Sequence, residues 1–254
     1  MKTDPFLRAV RLDRDKVSSF ATYPFSIPAV AHLDRLEFAR GLTVIIGENG
    51  IGKSTLIEAI AVKSGFNPEG GTRNYRFATK DTHSLLKDYL VLEKGIRRPT
   101  DGFFLRAESF YAFASESDRL DSMPSFSPKP RHLDSYGGKS LHAQSHGESF
   151  LALLKNRLGG NGLYIFDEPE AALSPQRQLT VLILLRNLLA QNSQCIIATH
   201  SPILMGYPGA MIYEITAHGI GRIAYEDTEH FRVTRDFLNG HQRILERLFA
   251  GENE

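Results

Sequence analysis

One stretch decides the fold of this chain: Gly47-Glu48-Asn49-Gly50-Ile51-Gly52-Lys53-Ser54-Thr55. It satisfies the phosphate-loop pattern of glycine, four residues, glycine, lysine and then serine or threonine. Residues 42–46, before it, are apolar and β-branched like a buried strand, and residues 54–61, behind it, carry apolar side chains at helical spacing. The pattern occurs by chance in some glycine-rich turns, but this strand and helix supply the context that a nucleotide-binding loop requires.

The residue types of this loop suit a triphosphate. Glycines let backbone N–H groups turn toward phosphate oxygens, and the helix that begins at the loop adds the positive end of its dipole. We expect Lys53 to reach the β- and γ-phosphates and the Ser54 hydroxyl to bind Mg²⁺. The predicted nucleotide-binding residues of the loop are Gly47, Asn49, Gly50, Gly52, Lys53, Ser54 and Thr55.

Composition limits the class of protein. The 254 residues, 42% of them hydrophobic, suffice for one large core, and we expect a single domain over residues 1–254. Lys and Arg number 30 and Asp and Glu number 29, so the formal charge is +1. This charge excludes a uniformly basic surface for nucleic-acid binding but is compatible with a local basic patch. The single cysteine, Cys195, lies in an apolar run, which predicts a buried core residue and a reducing, cytoplasmic compartment. The sequence lacks a run of about 18 apolar residues, so we expect no transmembrane segment.

Short strands are predicted at the start of the chain. Three segments are apolar or β-branched: 6–12, 21–27 and 36–46. They predict an antiparallel β layer that leads into the core sheet. Tyr23 and Phe25 in this layer either stack on an adenine or, as is commoner for aromatic residues in strands, belong to the core.

Residues 64–102 are rich in Gly, Asn, Pro and charged residues, which indicates an inserted subdomain. Within it, residues 82–93 have helical spacing of Leu and Tyr, whereas residues 102–106 resemble a strand. Residues 121–140 carry several prolines and a glycine pair, which predict an exposed loop. We therefore divide the chain into a nucleotide-binding core (1–63 and 163–254) and an inserted helical subdomain (64–162).

Two carboxylates follow a second buried strand. Residues 163–166 are apolar and are followed by Asp167 and Glu168. Beside a phosphate loop, Asp167 is predicted to hold Mg²⁺ through water next to Ser54, and Glu168 to orient or deprotonate the attacking water. Without such a loop, an acidic pair at a strand end is commonly a solvated terminus.

A third buried strand ends in a histidine. Ser174-Pro175 is a strong helix-start signal, and the helix is expected to run to about residue 190. Residues 195–199 then predict a strand that ends at His200. A histidine at a strand end is usually structural, so the residue type alone assigns it no function.

Taken together, these residues resemble the ATP-binding cassette (ABC) ATPases, a family of P-loop NTPases. The resemblance runs from the phosphate loop to His200 and includes Gln144-Ser145-His146-Gly147-Glu148-Ser149, which stands where the family keeps its signature sequence. It implies an α/β fold with a mixed central sheet flanked by helices, and hydrolysis of ATP with Mg²⁺ as cofactor. Residues 171–174 match the family's D-loop, and His200 matches its switch histidine, which makes Glu168 and His200 the predicted catalytic residues.

The signature segment also has a physical interpretation of its own. Ser145 and Glu148 form a capping-box pattern before the apolar residues 150–154, so a helix is expected to begin here. Capping does not explain Gly147, whose missing side chain would let backbone N–H groups approach an anion. In the family this helix end faces the γ-phosphate held by the other subunit. The resemblance therefore implies a head-to-tail homodimer that sandwiches two ATP molecules, with Ser145, Gly147 and Glu148 at the shared site.

Departures from the transporter pattern bear on function. Residues 167–175 and 198–202 look more like the stand-alone members of the family, the kin of SMC, RecF and overcoming-lysogenisation-defect ATPases, which act on DNA or protein partners. Unlike SMC heads, this chain has no heptad series for a coiled-coil arm. The family's glutamine loop cannot be identified clearly in this sequence, because the best-placed residue after the strand at 102–106 is Glu108. Its carboxylate is a further candidate to contact Mg²⁺-bound water, although it adds negative charge near the phosphates.

Two functions remain open at this point. The first is an ATPase switch that closes as a dimer on ATP and releases a DNA or protein partner, in a DNA-repair or defence-like role. The second is the ATP-binding subunit of an ABC transporter, whose partner would be an integral membrane protein. A binding module without turnover is disfavoured by the intact Lys53, Asp167 and Glu168. Residues 234–249 predict one or two amphipathic helices, which either pack on the domain or dock a partner.

Overall fold

The computed structural model describes residues 4–72, 85–106 and 146–250, together with the single positions Ser115 and Arg119. Glu108 and Ser145 lie outside the described residues, so their predicted roles stay predictions. The predicted loop at 121–140 lies outside them as well.

The strands form two sheets. In chain order the strands are β1 (Leu7–Leu12), β2 (Arg35–Glu37), β3 (Leu42–Gly47), β4 (Leu90–Lys94), β5 (Asp101–Arg106), β6 (Gly162–Asp167), β7 (Gln194–Ala198), β8 (Met211–Thr216) and β9 (Gly219–Arg222). The three-stranded sheet has the order β2-β1-β4 and is antiparallel, and the six-stranded sheet has the order β5-β6-β7-β3-β8-β9. In the larger sheet β8 and β9 are antiparallel and the other neighbours are parallel. The predicted mixed central sheet with an antiparallel β layer is confirmed.

Helices pack on both faces of the six-stranded sheet. They are α1 (Pro28–Ala31), α2 (Lys53–Lys63), α3 (Leu86–Tyr89), α4 (His146–Asn156), α5 (Pro175–Ala190), α6 (Pro202–Met205) and α7 (Glu229–Ala250), with short 3-10 helices at Arg14–Lys16 and Tyr225–Asp227. Alternate residues of a strand point to opposite faces. Ile45 accordingly packs in the apolar cluster that contains α2, and Val44 in the cluster that contains α4 and α5. Cys195 is fully buried in the second cluster, which confirms its assignment to the core.

The sheet topology brings three strand ends to one edge. β3, β7 and β6 are parallel neighbours, with Ile45 level with Ala198 and Ala198 level with Asp167. The loops that leave these strands therefore begin side by side. This carboxyl edge is where open α/β sheets bind ligands.

A buried glutamine side chain joins the two sheets. Nε2 of Gln194, on β7, donates to the carbonyl oxygens of Leu7 and Ala39, each at 2.8 Å. Its Oε1 accepts from the Leu7 N–H at 2.9 Å. Both ends of one side chain thus satisfy backbone groups of β1 and of the link between β2 and β3.

Two predictions about the first 46 residues are wrong. Residues 21–27 form turns rather than a strand, because the N–H groups of Phe25 and Ser26 both donate to the Thr22 carbonyl. Residues 36–46 form two strands in different sheets, β2 and β3, rather than one. The break occurs where the Ala39 N–H donates to the Thr43 hydroxyl at 2.8 Å, a side-chain contact that replaces a strand pairing.

The two candidate adenine-stacking residues have different surroundings. Phe25 is only 8% exposed and packs edge-on against Tyr89, with ring centroids 4.7 Å apart. The core interpretation is therefore confirmed for Phe25. Tyr23 is 67% exposed, so stacking on adenine stays a prediction for Tyr23 alone.

The predicted helix at 82–93 is wrong beyond Tyr89. α3 is a single turn, and the chain continues as β4, in which Leu92 pairs with Val10 of β1. The leucines of this segment fit a helical period and a strand equally well, and the pairing with β1 decides between them. Because β4 and β5 belong to the two sheets, residues 90–106 are integral to the core layers. The boundaries 64–162 of the inserted subdomain stay a prediction, and these pairings favour a start after residue 106.

The last helix is largely solvent-exposed. α7 is broken at Gly240, whose φ of −151° and ψ of 34° are not helical, and none of its residues is buried. Apolar residues on it, including Val233 and Leu238, are exposed. The expectation that this tail packs on the domain is therefore wrong for the greater part of its surface.

Candidate functional site

The loop between β3 and α2 has a backbone that glycine alone adopts readily. Gly50 and Gly52 have φ of 78° and 101°, in the left-handed region. A Cβ atom on Gly47 would lie 2.4 Å from the carbonyl oxygen of Ile215, so this strand end passes too close to β8 for any side chain. Asn49 is exposed at the tip of the loop. The loop therefore offers its backbone to solvent while its base is tightly packed.

The Lys53 ammonium is buried under this loop. Nζ donates to the carbonyl oxygens of Gly47 and Glu48, each at 2.8 Å. Burial lowers the pKa of Lys53, and this effect outweighs the opposing influence of three carboxylates: Glu168, Asp167 and Glu170. Phosphate oxygens are stronger acceptors than carbonyl oxygens, so a triphosphate in the loop would compete for this ammonium.

Two oxygen ligands of the kind that Mg²⁺ prefers lie together beside the loop. The Ser54 hydroxyl, on the first turn of α2, donates to Oδ1 of Asp167 at 3.1 Å, and Asp167 is buried at the end of β6. Hydroxyl and carboxylate oxygens suit a small hard cation, so these two residues fit Mg²⁺. Thr55 is half-buried on the same turn of α2.

A cation near Asp167 was missed by the sequence analysis. Nε of Arg106 lies 3.9 Å from Oδ2 of Asp167, and its Nη1 donates to Glu58 at 2.7 Å. Arg106 ends β5 and is level with Asp167 in the parallel pairing of β5 with β6. Only this register, which depends on the folded sheet, brings the two residues together.

Glu168 has an uncommon backbone conformation, and its side chain lies near His200. Its φ is 50°, which is uncommon for a residue other than glycine, and its N–H donates to the Ala198 carbonyl at 2.9 Å. Oε1 of Glu168 lies 3.7 Å from Nε2 of His200. The structure thus brings together the two predicted catalytic residues from the ends of β6 and β7.

Two residues that hold His200 were not assigned from the sequence. The His200 N–H donates to Oε1 of Glu170 at 2.6 Å, and Nδ1 of its ring lies 3.2 Å from Nε2 of His230. Glu170 lies within the acidic motif but was given no role of its own. His230 lies on α7, and no local pattern connects it with His200.

The signature helix α4 packs against the segment that follows Glu170. A Cβ atom on Gly147 would lie 2.6 Å from Nη1 of Arg177 and 2.7 Å from the Ala172 carbonyl oxygen. Nη2 of Arg177 donates to Glu148 at 3.3 Å. Gly147 is therefore required for packing against the predicted D-loop, which is a different reason from the anion approach expected for it.

Comparison with known proteins agrees with this geometry. Residues 149–206 match a domain family described as "AAA domain, putative AbiEii toxin, Type IV TA system", and residues 18–85 match one described as "AAA domain". The ATP-binding cassette MJ1267 of an ABC transporter has a similar structure, with a TM-score of 0.51 at 15% identity over 95% of this chain and 98% of the cassette. These matches and this fold support a P-loop ATPase of the ABC type.

Two curated relatives are described as export ATP-binding/permease proteins. The macrolide export ATP-binding/permease protein MacB of Azoarcus sp. (strain BH72) is 27% identical over 172 residues, which are 62% of this chain and 25% of that protein. The pyoverdine export ATP-binding/permease protein PvdT of Pseudomonas entomophila (strain L48) is 27% identical over 191 residues, 65% of this chain and 28% of that protein. The chain thus spans about a quarter of the length of these relatives.

The two family matches include parts of the chain that carry the site. The segment 149–206 covers most of α4, the acidic end of β6, α5 and His200. Among the helices of the described ranges, none is both long and apolar enough to cross a bilayer.

Proposed function

We propose that this ATPase is a stand-alone switch. Two copies close head-to-tail on two ATP molecules, and hydrolysis opens the dimer and releases a DNA or protein partner. The observation that carries the proposal is the pair of Glu168 and His200, 3.7 Å apart at the sheet edge that also carries the phosphate loop. The match of residues 149–206 to a family whose description names a toxin–antitoxin system supports a defence-like role.

The chain's own groups would carry out hydrolysis at this edge. Lys53 would leave the loop carbonyls for the β- and γ-phosphates, and Glu168 would accept a proton from water as the water oxygen bonds to the γ-phosphorus. The bond from that phosphorus to the bridging oxygen breaks, and ADP and phosphate are released. Ser54 and Asp167 would hold Mg²⁺, which when bound withdraws charge from the phosphates.

The signature segment would complete the site of the partner copy. The Glu148 carboxylate would repel a phosphate, but Arg177 lies 3.3 Å away and offsets the negative charge of this carboxylate. Backbone N–H groups at the start of α4 are then the donors for the γ-phosphate. A phosphate bound by two chains favours the closed state over the open one, and this differential affinity is what a switch requires.

The shared site can be tested by complementation. A Lys53→Ala chain lacks the phosphate-binding ammonium, and a Ser145→Arg chain blocks the signature. Each alone should be inactive, whereas a mixture should regain about one working site per mixed dimer. Absence of any recovery on mixing two folded, dimer-competent variants would contradict the head-to-tail arrangement.

The second candidate function is the ATP-binding subunit of an ABC transporter. The 27% identity to export ATP-binding/permease proteins favours it. The motif from Glu170 to Pro175, which looks more like that of stand-alone members, favours the switch. Either function would place the ATPase in the cytoplasm.

A pull-down distinguishes the two functions. A Glu168→Gln chain in ATP should hold the partner-bound state, because it binds nucleotide without turnover. Capture of DNA or a partner without membrane-spanning segments supports the switch, and capture of an integral membrane protein supports the transporter. The same variant in ADP is the control, since an ATP-dependent partner should be lost.

A further inference from the structure

The imidazole of His230 lies against that of His200. Nε2 of His230 is 3.2 Å from Nδ1 of His200, and the ring centroids are 5.5 Å apart at an interplanar angle of 47°. His230 is in the first turn of α7. The contact therefore joins the last helix of the described residues to the strand end that carries the predicted switch histidine.

The start of α7 is anchored at this place. Thr228 is fully buried and caps the helix, because its hydroxyl accepts from the Phe231 N–H at 3.3 Å. Tyr225 packs on Phe231 with ring centroids 4.6 Å apart, and its hydroxyl donates to the Pro202 carbonyl at 2.9 Å. Pro202 begins α6 just after His200, so the two histidines are held by one connected set of contacts.

Burial favours the neutral form of both imidazoles. Burial is the largest influence and lowers the pKa of His200, with Lys53 adding to it and Glu168 opposing it. Burial likewise lowers the pKa of His230, while Glu229 opposes it and Lys53 adds to it. Two neutral imidazoles that meet through one nitrogen each share a single proton, so one ring donates and the other accepts.

Only one direction of donation suits the site. If His200 donated through Nδ1, its Nε2 would present a lone pair to a Glu168 oxygen 3.7 Å away, and two acceptors would face each other. If His230 donates through Nε2, the proton of His200 lies on Nε2. That atom is buried and makes no hydrogen bond within ranges 4–72, 85–106 and 146–250, so its proton stays without an acceptor until a ligand reaches it.

We infer that His230 is a positioning residue: its Nε2–H donates to Nδ1 of His200 and holds His200 in the tautomer that presents Nε2–H to the γ-phosphate. The inference rests on the proposed ATPase function, in which His200 is a predicted catalytic residue. Because His230 belongs to α7, displacement of that helix would free the His200 ring and lower turnover. The exposed helix is in this way coupled to the ATP site.

Two amide variants of His230 test the inference. The amide of His230→Gln reaches about as far as Nε2 and should keep kcat within about threefold, whereas His230→Asn has the same amide on a shorter stem and cannot reach. His230→Asn should lower kcat by about 10- to 100-fold, as loss of an orienting partner does, with the KM for ATP nearly unchanged. Equal turnover of the two variants would overturn the inference.

Nitrogen NMR of the histidine rings, without nucleotide, reads the tautomer independently of turnover. The wild type should show His200 protonated at Nε2, and His230→Asn should show a mixture of tautomers. His200 protonated at Nδ1 in the wild type would overturn the inference even if the chain hydrolyses ATP. If His200 is protonated at Nε2 but the chain does not hydrolyse ATP, the proposed function is overturned, whereas the hydrogen bond from His230 to His200 still stands. The wild-type spectrum decides the matter even where a variant fails to fold.

Discussion

The backbone N–H of His200 donates to the Glu170 carboxylate at 2.6 Å, which ties the loop after β6 to the end of β7. Burial raises the pKa of Glu170, and the hydrogen bond from His200 counteracts only part of that rise. The other oxygen, Oε2, is buried and finds no hydrogen-bond partner in the described part of the chain. Ionisation of this carboxyl group in the folded chain therefore costs stability.

The raised pKa of Glu170 predicts a stabilising substitution. A carboxyl group whose folded pKa is raised contributes stability that is present below its unfolded pKa and lost as pH rises through the folded pKa. The free energy of unfolding should therefore fall over that window in the wild type but not in Glu170→Gln, whose amide oxygen still accepts from His200. Glu170→Gln should be the more stable chain at pH 7.

Urea unfolding without nucleotide between about pH 4 and pH 8 measures this difference. Glu226→Gln, at an exposed position near α7, is the control and should behave like the wild type. A Glu170→Gln chain less stable than the wild type at pH 7 would contradict the account of Glu170.

Asp101 predicts a pH dependence of the opposite sign. Burial raises the pKa of Asp101. The hydrogen bonds and charge of Arg157, together with the hydroxyl of Tyr164, lower it by more than burial raises it, so the net pKa is below its usual range. The two Arg157 bonds measure 3.1 and 3.2 Å, and the Tyr164 bond 2.9 Å. A depressed folded pKa gives stability that is present above the unfolded pKa and lost as pH falls through the folded pKa.

Asp101→Asn should therefore lose about 1 to 3 kcal/mol of unfolding free energy at pH 7, since it removes the negative charge that pairs with the partly buried Arg157. The deficit relative to the wild type should shrink as pH falls below about 4. Chemical unfolding at several pH values gives both quantities. A deficit that stays constant from pH 7 to pH 3 would show that the charge of Asp101 is not what matters.

Gln194 predicts a large loss of stability on removal of its amide. Gln194→Leu keeps the volume but leaves the backbone groups of Leu7 and Ala39 without partners. The expected loss is about 2 to 5 kcal/mol of unfolding free energy. Gln242→Leu, at an exposed position on α7, is the matched control and should change stability little. Equal stability of both variants would mean that Gln194 does not join the sheets.

The packing of Gly47 predicts a loss of nucleotide binding. A Cβ atom there would lie 2.4 Å from the Ile215 carbonyl oxygen, so Gly47→Ala must displace the start of the loop. With strain of about 1 to 3 kcal/mol, affinity for ATP should fall by about 5- to 150-fold. Gly65→Ala is the matched control, because Gly65 also has positive φ, of 97°, but a Cβ atom there meets nothing within 4 Å. Unchanged affinity of a folded Gly47→Ala chain, by calorimetry, would contradict this account of the loop.

The predicted site residues that the structure brings together are those that stand in short contiguous strings of sequence. The phosphate loop, the acidic pair at 167–168 and His200 each follow a buried strand. Parallel pairing of β3, β6 and β7 then brings those strand ends to one edge. Pattern and topology supply the same information here, so the placement of these residues at one edge could be predicted without the structure.

The missed residues are those whose contacts depend on tertiary structure alone. His230 reaches His200 from a helix beyond β9, and Arg106 reaches Asp167 through sheet register. The wrong prediction at 82–93 has a related cause, because its apolar spacing suits a helix or a strand until β1 pairs with it. Exposure of α7 could not be predicted either, since an amphipathic sequence does not show whether its apolar side is covered.

Turnover of ATP by Glu168→Gln tests the central claim most directly. The substitution keeps the shape and hydrogen-bonding capacity of the side chain but removes its ability to accept a proton. Purified chain with ATP and Mg²⁺ should lose turnover by about 10²- to 10⁴-fold, should still bind ATP, and should accumulate as a dimer in gel filtration. Undiminished hydrolysis by this variant would contradict the role of Glu168 as the base and, with it, the account of the site at this sheet edge.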